Sequence, residues 1–312
     1  MLNDFLKENS KVITFSNEFC FYDILEKDSK YRNLDYKKKK EYEQNIFKKE
    51  TKIEETENII LDDWYKLNNE WYLFKVKEQY YDSLKEYNEE YSLNELLGEY
   101  ISIYFNLSNA HYEIGRLVDE HGKIITTGLL SKNFYKGKYQ YKKLKDYPLL
   151  KKNTTIIDKL EIFNKLKYLD LGKSTLYLEK DLKKLFIRDF LTSEFDRASR
   201  NLLFMEDDNN IMLAPIFDNE ESFVSYNKNI NLSSNCLGYF DVLDKECQII
   251  LREDLLFQES LNKLMNFNMN NTLSTLENEH RIIIPDNKKE HYINHIKKIK
   301  RLVKENNLVK KL

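Results

Sequence analysis

The chain has 312 residues, 41% of them hydrophobic and 13% aromatic. That length suits two domains or one bilobal body, and the composition excludes a fibrous or disordered chain. Its 50 Lys and Arg against 52 Asp and Glu leave a formal charge of −2, so no global field draws in nucleic acid or an anionic membrane.

The three cysteines, Cys20, Cys236 and Cys247, form no CxxC pair and argue against a disulfide framework or a cysteine zinc site. The first ten residues are charged where a leader needs an apolar stretch, and no run reaches the length of a membrane span. The expectation is a cytoplasmic chain without a Sec-type leader, with no membrane and no direct nucleic-acid partner.

Residues 1–55 are polar and read as a mostly helical extension, in which the Lys37–Lys40 run is a solvated helix face. Two aromatic-rich runs about Asn68-Asn69, from Trp64 to Lys75, predict a β-hairpin, because Asn tolerates positive φ. Ser92-Leu-Asn-Glu95 has capping-box spacing and opens an apolar pattern at Leu93, Leu96, Leu97, Tyr100, Ile101, Tyr104 and Phe105. It predicts a helix over 92–105. Strands are expected at 110–117 and 124–130, joined by a turn at Glu120-His-Gly122.

From about residue 150 the pattern is helical, with Leu182, Leu185, Phe186 and Phe190 on one face. A small hairpin interrupts it, with runs 202–205 and 211–217 joined by a polar tip at 206–210. The tail, with Ile296, Ile299, Leu302 and Val303 on one side, predicts a packed terminal helix. The pattern divides the chain into an N-lobe over 1–133 and a C-lobe over 134–312.

Phosphoryl transfer from ATP needs an acid to orient the acceptor hydroxyl, oxygen ligands for magnesium, and a lysine on the phosphates held by a carboxylate. The chain offers these in order. Asp196 and Asn201 stand at the Asp-x4-Asn spacing of a kinase catalytic loop, Asp218 follows the hairpin as a second metal carboxylate, and Lys75 with Glu95 completes the set. The spacing alone says little, since it recurs at Asp4/Asn9, Asp28/Asn33 and Asp63/Asn68. Asp196 is set apart by the helix before it, the hairpin after it and the Phe217-Asp218 pair at the hairpin's far end. Glu95 has a structural alternative as the closing residue of the capping box; Glu99, one turn later, would then partner Lys75. Glu95 is preferred.

Phe190-Leu-Thr-Ser-Glu-Phe-Asp-Arg-Ala-Ser-Arg-Asn-Leu-Leu-Phe204, followed by Leu213-Ala-Pro-Ile-Phe-Asp-Asn-Glu-Glu-Ser222, resembles the catalytic core of the HipA-like serine/threonine kinases. That family includes toxin kinases of toxin–antitoxin modules and compact cell-translocating kinases, and its pattern is Asn-x-Asp-Arg-His-x-x-Asn, then Leu-x-Pro-hydrophobic-aromatic-Asp. Asn94-Glu95 and Leu130-Ser-Lys-Asn-Phe134 also resemble family motifs. The resemblance implies an α+β, bilobal protein-kinase-like fold, with a small β-rich N-lobe carrying extra N-terminal helices, a mostly helical C-lobe, and ATP and Mg2+ between them. It implies Asp196 as catalytic acid–base or orienting residue, Asn201 and Asp218 as metal ligands, and Lys75 on the phosphates. A protein substrate, such as a translation component, and a small antitoxin partner are implied as well.

The departures are Ala198 for the family His, Glu194 for the Asn two before the catalytic Asp, and no glycine over 56–74 where a phosphate-cradling loop is usual. They keep two alternatives open, a small-molecule or lipid kinase and a pseudokinase binding module. No GxSxG, Walker-type loop or GxGxxG occurs, and the His291/His295 pair lacks a metalloprotease Glu, which leaves a surface helix as its reading.

Overall fold

A computed structural model of the chain describes residues 2–54, 59–76, 85–144, 172–194, 197, 201–223 and 245–310. By internal contacts it divides into two compact units, the first made of Met1–Ser92, Ala110–Tyr141 and His280–Ile283, the second of Leu93–Asn109, Lys142–Glu279 and Ile284–Leu312.

The first unit is built on a five-stranded sheet of β1 (Val12–Ser16), β2 (Trp64–Leu67), β3 (Glu70–Lys75), β4 (Tyr112–Val118) and β5 (Ile124–Lys132), in the order β1-β4-β5-β3-β2. The β2–β3 hairpin turns at Asn68 and Asn69, whose φ of 50° and 64° are the left-handed values expected of this dipeptide. β4 and β5 pair antiparallel from Tyr112↔Ser131, with a register shift at Leu117/Val118.

The segment 1–55 is mostly helical, with one strand that the sequence reading does not include. It supplies α1 (Phe21–Glu26), α2 (Ser29–Arg32) and α3 (Tyr36–Thr51), but also β1, which pairs parallel with β4 from Val12↔Ile114. The β-branched and aromatic run Val12-Ile-Thr-Phe15 fits a pleated, half-buried surface better than a helix. Phe21, Leu25, Tyr31, Phe47, Ile53, Trp64 and Trp71 form one apolar cluster in this unit, with Phe47 set edge-on to Phe21 and Trp64. On α3, Lys37, Lys38 and Lys40 are exposed, as a solvated face requires.

The second unit contains α4 (Lys85–Tyr104) from Leu93 onward, α5 (Leu176–Thr192), α6 (Lys245–Glu253), α7 (Leu255–Asn266), α8 (Met269–His280) and α9 (Asp286–Glu305). A three-stranded sheet runs in the order β6 (Gln140–Lys143), β7 (Leu203–Glu206), β8 (Ile211–Leu213). The β7–β8 pair is the small polar-tipped hairpin read from sequence.

α4 begins well before residue 92, so Ser92 lies inside the helix and closes no capping box. The upstream Lys-Glu-Tyr-Asn-Glu-Glu stretch is rich in good helix formers and carries the helix past the cap signal. α4 ends where Asn106 turns left-handed at φ 56°. α9 buries Tyr292, His295, Ile296, Ile299 and Val303 as one stripe. The His291/His295 pair is therefore not a surface pair, because His295 falls inside the stripe and is only 8% exposed.

Cys20 and Cys247 are free and buried, and Cys236 lies outside the described residues. Among the described residues no helix is long and apolar enough to cross a membrane.

Candidate active site

Lys75 stands at the end of β3, with its Nζ 5.9 Å from the centre of the Tyr112 ring. Asp196 lies outside the described residues, as does Ala198. Asn201 is half-buried just ahead of β7 and lines a small cavity with Arg197, Pro215 and Phe217. Glu95 and Glu99 sit one turn apart on α4, 2% and 8% exposed.

Glu95, Asp218 and Glu220 come together. Each presents a carboxylate oxygen, and the three oxygens lie within 4.8 Å of one another. Glu95 is also tied to this segment directly, because its Oε2 accepts from the Asn219 backbone N–H at 2.8 Å. Glu95 closes no capping box, because α4 is already under way at Lys85.

The Asp218 backbone is left-handed, with φ 61°, a conformation that costs a non-glycine residue about 1–3 kcal/mol and persists only where the surroundings enforce it. Ile216, just upstream, bridges in parallel to Asn109 and donates its N–H to Ser108. Downstream, Asn94 Nδ2 donates to the carbonyls of Glu220 at 2.8 Å and Ser222 at 2.7 Å, and Asn94 Oδ1 in turn accepts from the Tyr292 hydroxyl at 3.0 Å. Gly98 leaves room for this segment, since a Cβ there would stand 2.6 Å from Asn219 Cβ.

Beneath the turn lies a buried charged cluster. Asp189 accepts from Arg188 Nη1 at 2.7 Å and from Arg197 Nε at 3.1 Å. Burial works against the Arg197 charge, but the Asp189 carboxylate and then Glu194 outweigh it and raise its pKa. Glu194, the residue in place of the family Asn, is fully buried and accepts from the Ser222 hydroxyl at 2.7 Å. Burial pushes its pKa up to about 7, with Asp189 reinforcing the rise and Arg197 opposing it.

An all-oxygen set of carboxylates suits a hard divalent cation such as Mg2+ or Mn2+, so these residues fit the metal that kinase chemistry requires. Glu220 joins the carboxylate group without a sequence assignment, its one signal being its position two residues beyond Asp218. Arg197 and Asn219 likewise carry no sequence assignment.

No known protein-family profile matches the chain, and no curated protein sequence matches it either. Solved structures do. The Helicobacter pylori proinflammatory kinase CtkA superposes with a TM-score of 0.53 at 14% identity, over 76% of this chain and 89% of CtkA. Hydra Fam20 in complex with sugar gives 0.48 at 14% identity, over 78% and 81%. HipA of Shewanella oneidensis, solved with HipB and operator DNA, gives 0.45 at 12%, over 76% and 58%. The chain has the kinase-like α+β fold of CtkA, in agreement with the resemblance carried by Phe190–Ser222.

Proposed function

We propose that the protein is a metal-dependent phosphotransferase that moves the γ-phosphoryl group of ATP to a serine or threonine hydroxyl of a protein. The observation that carries this reading is the meeting of Glu95, Asp218 and Glu220 on a chain with a kinase-like fold. Asp218 and Glu95, with Glu220 and the sequence-assigned Asn201, would hold Mg2+. When bound, the metal offsets the negative charge of the phosphate oxygens.

The chain's own residues supply the remaining work. Asp196 accepts a hydrogen bond from the acceptor hydroxyl and orients its oxygen for in-line attack on the γ-phosphorus. Lys75 donates to the phosphates as a fixed cation. Catalysis of this kind is positioning plus electrostatics, which explains why so much buried structure serves one turn. A protein acceptor, with a translation component as the specific candidate, and a small antitoxin partner follow from the sequence resemblance.

Transfer of labelled γ-phosphate from ATP with Mg2+, to the protein itself and to a cell lysate, tests the reading. Labelling of protein that disappears in Asp196→Ala and in Asp218→Ala is the expected result. Metal-dependent ATP binding without any labelled protein would overturn the protein-kinase assignment, directing it to a small-molecule acceptor or to a binding module.

A further inference from the structure

We infer that Arg197 is a positioning residue that sets the geometry of Asp218, an inference that rests on the reading of Asp218 as a metal ligand. Its guanidinium brackets that residue. Nη1 donates to the Phe217 carbonyl at 2.6 Å and Nη2 to the Asn219 side-chain oxygen at 2.8 Å, so the residues on either side of Asp218 hang from one planar group. Nε anchors the group to Asp189 at 3.1 Å. All three nitrogens are engaged, and the side chain is 1% exposed.

The bracket answers a specific need. The left-handed backbone at Asp218 carries an intrinsic cost and would relax if its flanks were free. Pinning Phe217 and Asn219 holds it, and the Asn219 N–H is then presented to Glu95 at 2.8 Å. Glu95 and Asp218 thereby receive their relative placement from the same few bonds. Stability alone is a poor account of this arrangement. Two arginines share Asp189 in a fully buried site, and apolar replacements of such clusters are often as stable or more so. The bonds leaving the cluster run to the neighbours of Asp218, and to Gly98 on the helix that carries Glu95.

The planar fork matters more than the charge. Lysine keeps the cation but offers one nitrogen, which cannot serve the Phe217 carbonyl, Asn219 and Asp189 in one plane. The test uses the full-length protein and Mn2+ with ATP, reading the free Mn2+ signal by electron paramagnetic resonance, beside melting followed by circular dichroism. Asp218→Asn should abolish ATP-dependent Mn2+ binding.

Arg197→Lys should weaken Mn2+ binding at least about tenfold and lower kcat by up to about a hundredfold, the scale of a misplacement near 1 Å. Asn219→Ala, which leaves the Arg197–Asp189 pair intact, should move both quantities in the same direction and carries the test if Arg197→Lys does not fold. Folded variants that melt earlier yet bind Mn2+ with wild-type affinity would overturn the inference by making Arg197 merely structural. Wild-type Mn2+ affinity in Asp218→Asn would instead overturn the metal assignment beneath it.

Discussion

Glu194→Gln should make the protein more stable at neutral and alkaline pH. The Glu194 carboxyl is fully buried and its pKa stands at about 7 against an ordinary 4.5. Between these values the folded state binds more protons than the unfolded state, so this group's contribution falls as pH rises through that window. At 1.36 kcal/mol per pKa unit the loss is about 3 kcal/mol, complete above pH 7. His295 works in the opposite sense. Burial, aided by the neighbouring His291, lowers its pKa to about 4, so folding favours the neutral ring and stability rises between pH 4 and its ordinary value of 6.5. The two slopes nearly cancel from pH 4.5 to 6.5 in the wild type.

Glutamine keeps an acceptor for the Ser222 hydroxyl and carries no charge. The variant should therefore match the wild type near pH 4.5 and exceed it by up to about 3 kcal/mol at pH 8. Urea unfolding at pH 4.5, 6 and 8, followed by circular dichroism at 222 nm, reads this as a shift in midpoint at constant slope. The helical signal is the appropriate probe, because both tryptophans, Trp64 and Trp71, belong to the first unit. Parallel stability curves for the two proteins across this range would refute the reasoning.

Three other substitutions probe separate links. Gly98→Ala places a Cβ 2.6 Å from Asn219 Cβ and 2.8 Å from Arg188 Nη2, and overpacking of this kind costs about 1–3 kcal/mol. Phosphate transfer should fall more than stability does, and unchanged transfer would show that the Asn219 turn tolerates displacement. Glu95→Gln retains an acceptor for the Asn219 N–H but removes the charge; Mn2+ affinity measured by titration should drop at least about tenfold, the scale of one lost charge-assisted ligand, while the melting temperature stays nearly constant. An unchanged Mn2+ affinity would reduce Glu95 to a structural hydrogen-bond acceptor. Phe47→Ala deletes a fully buried ring between Phe21 and Trp64 and should cost about 3–5 kcal/mol, read from tryptophan fluorescence during urea unfolding. A loss below about 1 kcal/mol would mean the cluster repacks around the gap.

Local chemistry was legible in the sequence. Asn68-Asn69 specifies its turn through the left-handed tolerance of two adjacent residues, and the β7–β8 hairpin announces itself by two apolar runs about a polar tip. Local signals mislead where they compete. Ser92 and Glu95 satisfy the capping pattern, yet a helix already under way from Lys85 needs no cap there. The Val12-Ile-Thr-Phe15 run carries the β1 signal, but the polar residues around it outweigh it. His295 is polar in a Lys-rich segment, and only the stripe formed with Tyr292, Ile296 and Ile299 carries it inside.

The choice between Glu95 and Glu99 shows why the site itself exceeds what spacing can give. Both are buried carboxylates one turn apart on the same helix, and no local property separates them. Glu95 accepts from the Asn219 N–H, and Arg197 Nη2 holds the Asn219 side chain. Arg197 is held in turn by Asp189, eight residues back on α5. Each of these bonds joins segments whose approach depends on the completed fold. A motif can name Asp218 and Asp196 because the phosphoryl transfer proposed for the chain requires carboxylates there. The Arg197 bonds to Phe217 and Asn219, on either side of Asp218, belong to this chain's particular packing and become visible only with the distances.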